Sequence, residues 1–257
     1  MPTHAGPKPA GTPTWVDLMA PDIEAARSFY QNLFGWEYEI GGPEYGGYSN
    51  ARMGAHLVAG IGGAPPGAPP MPAAWGVYFA SHDLAADVAR AVGLGATVLT
   101  PPMQIDSYGG MAICADPLGA PFGFWQAGDH TGAQLTDEPG AAAWYELYAP
   151  NAEQARDFYA ALLGATAERM PGEFTYYVLK HGDEQLCGIT QRDPSDGALP
   201  AQWLTYFAVT NADDAVATVK RLGGTVDGPI EDSPFGRFVG VADPSGAPFK
   251  IIEAPAD

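Results

Sequence analysis

Positive charge is scarce in this chain. Only 12 lysines and arginines stand against 30 aspartates and glutamates, leaving a formal net charge of −18. A surface of that sign repels phosphate backbones and anionic headgroups, so neither nucleic acid nor membrane is an expected partner, and the charge serves solubility. Cysteine is scarcer still. Cys114 and Cys187 lie far apart in apolar runs with no metal-type spacing, so free buried thiols in a reducing compartment are expected rather than a disulfide framework. No run is apolar for long enough to span a bilayer. The opening MPTHAGPKPAGTP lacks the apolar core of a secretory signal, and the expected location is the cytoplasm. Missing too are Ser-His-Asp spacing, a nucleophile elbow, a phosphate loop and a dinucleotide fingerprint.

What the chain has in abundance is internal repetition. TWVDLMAPDIEAARSFYQNLFG (14–35) aligns with AWYELYAPNAEQARDFYAALLG (143–164), with half of the positions identical. WGVYFA (75–80) aligns with WLTYFA (203–208), LGATV (94–98) with LGGTV (222–226), and ADPLGAPF (115–122) with ADPSGAPF (242–249), at an offset that stays near 128. Chance similarity does not hold register across four blocks, so the chain is a duplication. Each half divides again. Asp22–Phe34 and Asn151–Leu163 carry apolar residues at helical spacing, opened by an Asp or Asn cap and closed by Gly35 or Gly164. Leu84–Val92 and Ala212–Leu222 read as weaker helices. One strand precedes each helix and about three follow, so a strand–helix–three-strand unit occurs four times. The expected organisation is a flexible tail at 1–13, a domain at 14–126, a linker at 127–141 and a second domain at 142–254. GGAPPGAPPMP (62–72) and QRDPSDGALP (191–200) join the units within each half.

Four βαβββ units, helices ending in FY and FG-type pairs, and a DPxGAPF turn before a terminal strand resemble the vicinal oxygen chelate superfamily, which includes glyoxalase I, extradiol dioxygenases and bleomycin-resistance proteins. The resemblance runs from Thr14 to Glu253. It implies an α+β fold with two tandem domains, each a pair of units curled into a cup. In metal-dependent relatives, a His or Gln on a unit's first strand and a Glu on its last converge on one divalent ion. Here the first-strand positions read as Trp15, Trp75, Trp144 and Trp203. PFGFWQ and PFKIIE put Gly123 and Lys250 where the Glu is expected, and the middle strands offer only Ala59 to Ile61 and Cys187 to Ile189. An indole N–H donates and has no lone pair for a metal. The expectation is therefore no metal and no cofactor; His56, Glu184, Gln126 and Glu253 are the nearest alternatives if the register slips.

Alternation along a strand puts Asp17 on the face of Trp15, and Glu146 and Tyr148 on the face of Trp144. A carboxylate among indoles is a candidate general acid or base, which makes Asp17 and Glu146 the candidate catalytic residues; their plain alternative is a structural hydrogen bond or ion pair. The four tryptophans, Tyr78, Tyr206, Tyr108, Phe235 and Trp125 are candidate stacking surfaces, with Lys250, Arg237 and His56 as candidate polar contacts. Core packing is the plain alternative for the tryptophans. Of the other histidines, His130 lies in the linker between the halves. The expected role is metal-independent binding of a hydrophobic or aromatic small molecule, for sequestration, resistance or assistance to biosynthesis. The alternative is an enzyme, either metal-free acid–base chemistry on a polyketide-like or dicarbonyl substrate, or a metal-dependent lyase, isomerase or dioxygenase. Monomer and homodimer both remain open.

Overall fold

The computed structural model describes residues 3–63, 72–193 and 200–255; most of the two joining segments within the halves lies outside them. The four units follow one another as the repeats predict. The first is β1 (Pro13–Met19), α1 (Ile23–Phe34), β2 (Glu37–Ile40), β3 (Ser49–Met53) and β4 (His56–Gly62). The second is β5 (Ala74–Ser81), α2 (Leu84–Gly93), β6 (Thr97–Ile105), β7 (Gly109–Ala115) and β8 (Pro121–Ala127). The second half repeats the order with β9 (Ala142–Ala149), α3 (Ala152–Leu163), β10 (Thr166–Arg169), β11 (Tyr176–His181) and β12 (Glu184–Gln191). It closes with β13 (Gln202–Val209), α4 (Ala212–Arg221), β14 (Thr225–Ser233), β15 (Gly236–Ala242) and β16 (Pro248–Glu253).

Each half forms one eight-stranded sheet, ordered β2-β3-β4-β1-β5-β8-β7-β6 in the first and β10-β11-β12-β9-β13-β16-β15-β14 in the second. The antiparallel pair that opens the two units therefore sits at the centre of each sheet. The helices start where the sequence says. The side chains of Asp22, Asp83, Asn151 and Asn211 each accept from a backbone N–H three residues on, satisfying a donor that the first turn leaves unpaired.

One face of each sheet builds a shared core with the other half. Tyr30 and Tyr159, the tyrosines of the two FY pairs, are fully buried. Tyr30 donates to Asp243 across the halves at 3.2 Å, and Tyr159 returns the contact to Asp116 at 3.0 Å. Each of these aspartates also accepts two backbone N–H groups of its own DPxGAP turn. The repeated turn thus has two jobs: it closes on its aspartate and it receives a helix from the other half. Phe34, Trp36 and Trp75 pack on Phe207 with ring centroids 5.0 to 5.7 Å apart, and Phe79 packs on Trp203 at 5.6 Å. Aromatic burial on this scale dominates the hydrophobic contribution of the interface.

The segment read as a tail makes defined contacts. Thr3 forms a bridge with Leu135, His4 N–H donates to the Gln134 carbonyl, Gly11 N–H donates to the Ala80 carbonyl of β5, and Ala80 N–H donates to the Thr12 carbonyl. Cys114 and Cys187 are buried free thiols.

Candidate functional site

The face of each sheet opposite the shared core is a cup, and strand pairing decides which side chains enter it. In the first sheet Trp15 pairs with Tyr78, Asp17 with Gly76 and Gly60, and Tyr78 with Gly123. Residues directly opposite one another share a face, so Trp15, Asp17 and Tyr78 point together. In the second sheet Trp144 pairs with Tyr206, Glu146 with Gly188 and Leu204, and Tyr206 with Lys250. The first sheet curls far enough for its opposite edges to meet. Tyr45, before β3, donates its hydroxyl to Asp106 in the β6–β7 turn, and its ring meets Tyr108 edge-on at 5.8 Å.

The floor of the first cup is a carboxyl held by two phenols. Tyr78 donates to Asp17 at 3.1 Å, and Tyr48 lies 3.4 Å from the same oxygen. The Trp15 indole donates to the Tyr48 oxygen at 2.9 Å. Asp17 is buried. Desolvation pushes its carboxyl up to about 7, against the pull of the two tyrosine hydrogen bonds, because burial penalises the charged form more than two neutral donors repay. Burial, followed by the Asp17 charge, raises Tyr48 and Tyr78 well above the ordinary phenol range. These hydroxyls therefore stay protonated and donate.

The second cup repeats this frame and adds a cation. Tyr206 donates to Glu146 at 2.6 Å, and the Trp144 indole donates to Tyr176 at 3.0 Å. Lys250 Nζ stands 3.7 Å from Glu146, donates to the Tyr148 hydroxyl, and lies 4.8 to 4.9 Å from the ring centres of Tyr148, Tyr206 and Phe238. Burial lowers the Lys250 ammonium, and Glu146 is the largest opposing influence.

Two glycines make the tyrosine placements possible. A Cβ on Gly60 would lie 1.9 Å from the Tyr48 hydroxyl, and one on Gly188 would lie 2.0 Å from that of Tyr176. Each tyrosine lays its hydroxyl across a central strand at a point where no side chain fits.

The cups are covered differently. The linker crosses the first. His130 sets its ring edge-on against Trp15 at 4.4 Å and against Trp125 at 5.3 Å, and its carbonyl accepts from the Trp125 indole. Burial lowers the His130 imidazole to about 4, so it covers the cup as a neutral ring. Trp15 and Trp125 are buried beneath it, whereas Trp144 is only half-buried. Among the described residues no aromatic ring packs on Trp144. Phe174 and Phe235, which replace the touching Tyr45 and Tyr108 at the rim, are 82% and 61% exposed.

Other candidates fall outside the cups. Trp75 and Trp203 do not line them. Trp75 pairs with Leu18 and Trp203 with Leu147 on the core face, where their indoles donate to Tyr30 and Tyr159. The reason is parity: Trp75 and Tyr78 are three residues apart on one strand and must face opposite ways. Arg237 pairs with Glu253 on the helix side and forms ion pairs with Asp213, Glu253 and Asp232 at the surface. His56 opens β4 at a hairpin end and joins neither polar cluster. Tyr48, Tyr176 and Phe238 were absent from the sequence-based candidates, as was His130. The two tyrosines carried a signal, since they are 128 residues apart, as Tyr78 and Tyr206 are.

The superfamily implies a divalent ion in such a cup, and the donors present do not fit one. The first cup offers a single carboxyl among phenols, and the second sets its carboxylate against an ammonium. Gln126 and Glu253 are engaged elsewhere, accepting from the first N–H groups of α2 and α4. Among the described residues no three His, Cys, Asp or Glu side chains converge.

Comparison with known proteins agrees with this architecture. The Glyoxalase-like domain profile matches residues 14–124, and that of the Glyoxalase/Bleomycin resistance protein/Dioxygenase superfamily matches 141–251. A putative glyoxylase, CFP32, of Mycobacterium tuberculosis is 40% identical, covering 95% of this chain and 95% of its own length. The anthracycline biosynthesis protein DnrV of Streptomyces peucetius is 37% identical, covering 95% and 93%. The 2,3-dioxygenase LapB of Pseudomonas sp. KL28 shares the fold with a TM-score of 0.66 over 95% of this chain and 92% of its own, at 16% identity. With both halves matched and whole-length relatives at this identity, the chain belongs to the glyoxalase/bleomycin-resistance/dioxygenase, or vicinal oxygen chelate, superfamily as a tandem double-domain member.

Proposed function

We propose that the chain binds a planar, largely apolar small molecule in its cups without a divalent ion. The observation that carries this reading is the repeated floor: in each cup a carboxyl, two tyrosine hydroxyls and an indole converge on one face. Aromatic walls supply stacking and apolar burial, and a few fixed polar groups set orientation, which is the usual composition of a small-molecule site. A relative named for anthracycline biosynthesis supports a polycyclic aromatic as the ligand class. The test is titration with 9,10-anthraquinone, followed by tryptophan fluorescence. Saturable quenching is expected, and no binding overturns the reading.

One observation favours a catalytic variant of this reading. With its carboxyl at about 7, Asp17 exchanges a proton near neutral pH, as a general acid or base must. On an enolisable carbonyl held against Trp15, Asp17 would take the proton α to the carbonyl, and Tyr78 would donate to the developing oxyanion. Catalytic turnover of a bound hydroxyketone or dicarbonyl, slowed on the order of 100-fold or more by Asp17→Asn, is the result that this variant requires.

A further inference from the structure

The second cup holds a donor and an acceptor side by side, each with bonding capacity to spare. Lys250 carries three N–H donors and, among the described residues, spends one on Tyr148. Glu146 accepts from Tyr206 on Oε2 and is also engaged by the Tyr148 and Tyr176 hydroxyls, so of a carboxylate's roughly four acceptor sites about one is left. At 3.7 Å the two groups are near enough to balance charge but too far apart to form a direct hydrogen bond. The first cup has no such pair, because Gly123 stands where Lys250 stands. Trp144 is half-buried and Phe235 exposed, while Glu146 and Lys250 are themselves buried.

We propose that the second cup recognises a ring carbonyl with a hydroxyl beside it on the edge of a planar aromatic ligand, Lys250 donating to the carbonyl and Glu146 accepting from the hydroxyl. This rests on the aromatic-ligand reading above and specifies which edge is read. Charge selects a neutral edge over an anion. A carboxylate or phosphate at Lys250 would also face Glu146, and the charges of Glu231 and Asp227 act on the same lysine. One cation against three carboxylates repels a further negative charge, whereas a neutral carbonyl–hydroxyl pair meets one donor and one acceptor.

The test compares 1-hydroxyanthraquinone with 9,10-anthraquinone by equilibrium titration. The proteins are the parent and the double variant Lys250→Met/Glu146→Gln. Removing both charges together leaves neither one buried alone, and Lys250→Met alone is measured as a second variant, with circular dichroism reporting the fold of each. The parent is expected to prefer the hydroxyquinone about tenfold or more, as hydrogen bonds to charged groups provide. The double variant should lose that preference to within about threefold and bind both quinones more weakly than the parent, since the carbonyl they share has lost Lys250, with stacking still giving measurable affinity for each. Equal binding of the two quinones by the parent, or a preference that survives in the folded double variant, overturns the assignment and leaves the aromatic-ligand reading standing. A parent that binds neither quinone overturns both.

Discussion

Lys250 and Gly123 occupy the same position in the two sheets, each paired with the tyrosine of the neighbouring strand, Tyr206 or Tyr78. The space is used differently. A Cβ on Gly123 would come within 2.2 Å of the Tyr78 ring, so the tyrosine fills the volume that a side chain would take. In the second cup the lysine stem rises instead among Tyr148, Tyr206 and Phe238. A duplication has thus yielded one cup with a carboxyl that holds its proton near neutral pH and one with a paired carboxylate and ammonium.

The state of Asp17 has a consequence for stability. Its folded carboxyl titrates at about 7 against an ordinary value of 3.8, and the cause is desolvation. Between those values the folded chain holds a proton that the unfolded chain has released. Stability from this group is therefore greatest below about pH 4, falls as pH rises toward 7, and is flat above, with a total on the order of a few kcal/mol. Asp17→Asn, neutral throughout, should remove this slope and exceed the parent in stability at pH 8. Urea unfolding at pH 5, 7 and 8 checks this; equal slopes in parent and variant would count against it.

The paired contacts across the halves predict that Tyr30→Phe costs about 1–3 kcal/mol, because it strips a donor from Asp243 and an acceptor from the Trp75 indole, all of them buried. Tyr159→Phe should cost a similar amount for the same reason. Denaturant midpoints measure both. A change below about 0.5 kcal/mol in either would show that these bonds do not hold the halves together.

Gly188→Ala should displace Tyr176, whose hydroxyl would lie 2.0 Å from the new Cβ, and so free the Trp144 indole of its acceptor. The expected result is a shift in tryptophan emission with ligand affinity reduced about tenfold, as loss of one stacking or orienting contact implies. Emission and affinity equal to the parent's would mean that Tyr176 does not organise the cup.

Much of the architecture was legible because it is periodic. The offset near 128 located both halves, and the caps and glycine stops located the helices. What the sequence concealed was strand parity. Trp15 and Trp75 both open aromatic runs, yet pairing sets Trp15 against Tyr78 and Trp75 against Leu18, on opposite faces. A linear pattern records alternation within a strand but not which phase faces which layer. Tyr48 and Tyr176 reach Asp17 and Glu146 from outside the strands that carry those carboxyls, and only their matching repeat positions hinted at this. Asp17 and Glu146 were legible as cup residues, because they follow their tryptophans by two. The cover that His130 places over the first cup was not, since a linker carries no periodic signal.

If the protein turns over a bound ligand, Asp17→Asn or Glu146→Gln should slow it on the order of 100-fold or more, as loss of general acid–base help does. Both swaps keep shape and leave the tyrosines a partner. Rates unchanged in both variants would confine the two carboxyls to binding and structure.

On the proposed reading, the cups hold a planar ligand against Trp15 or Trp144. The most direct measurement is equilibrium titration of 9,10-anthraquinone by tryptophan fluorescence, using parent, Trp15→Ala and Trp144→Ala proteins shown by circular dichroism to be folded. The account predicts saturable quenching in the parent and affinity weakened about tenfold or more in at least one variant, through lost stacking and lost apolar burial. Undiminished affinity in both folded variants would contradict it and make these tryptophans core residues.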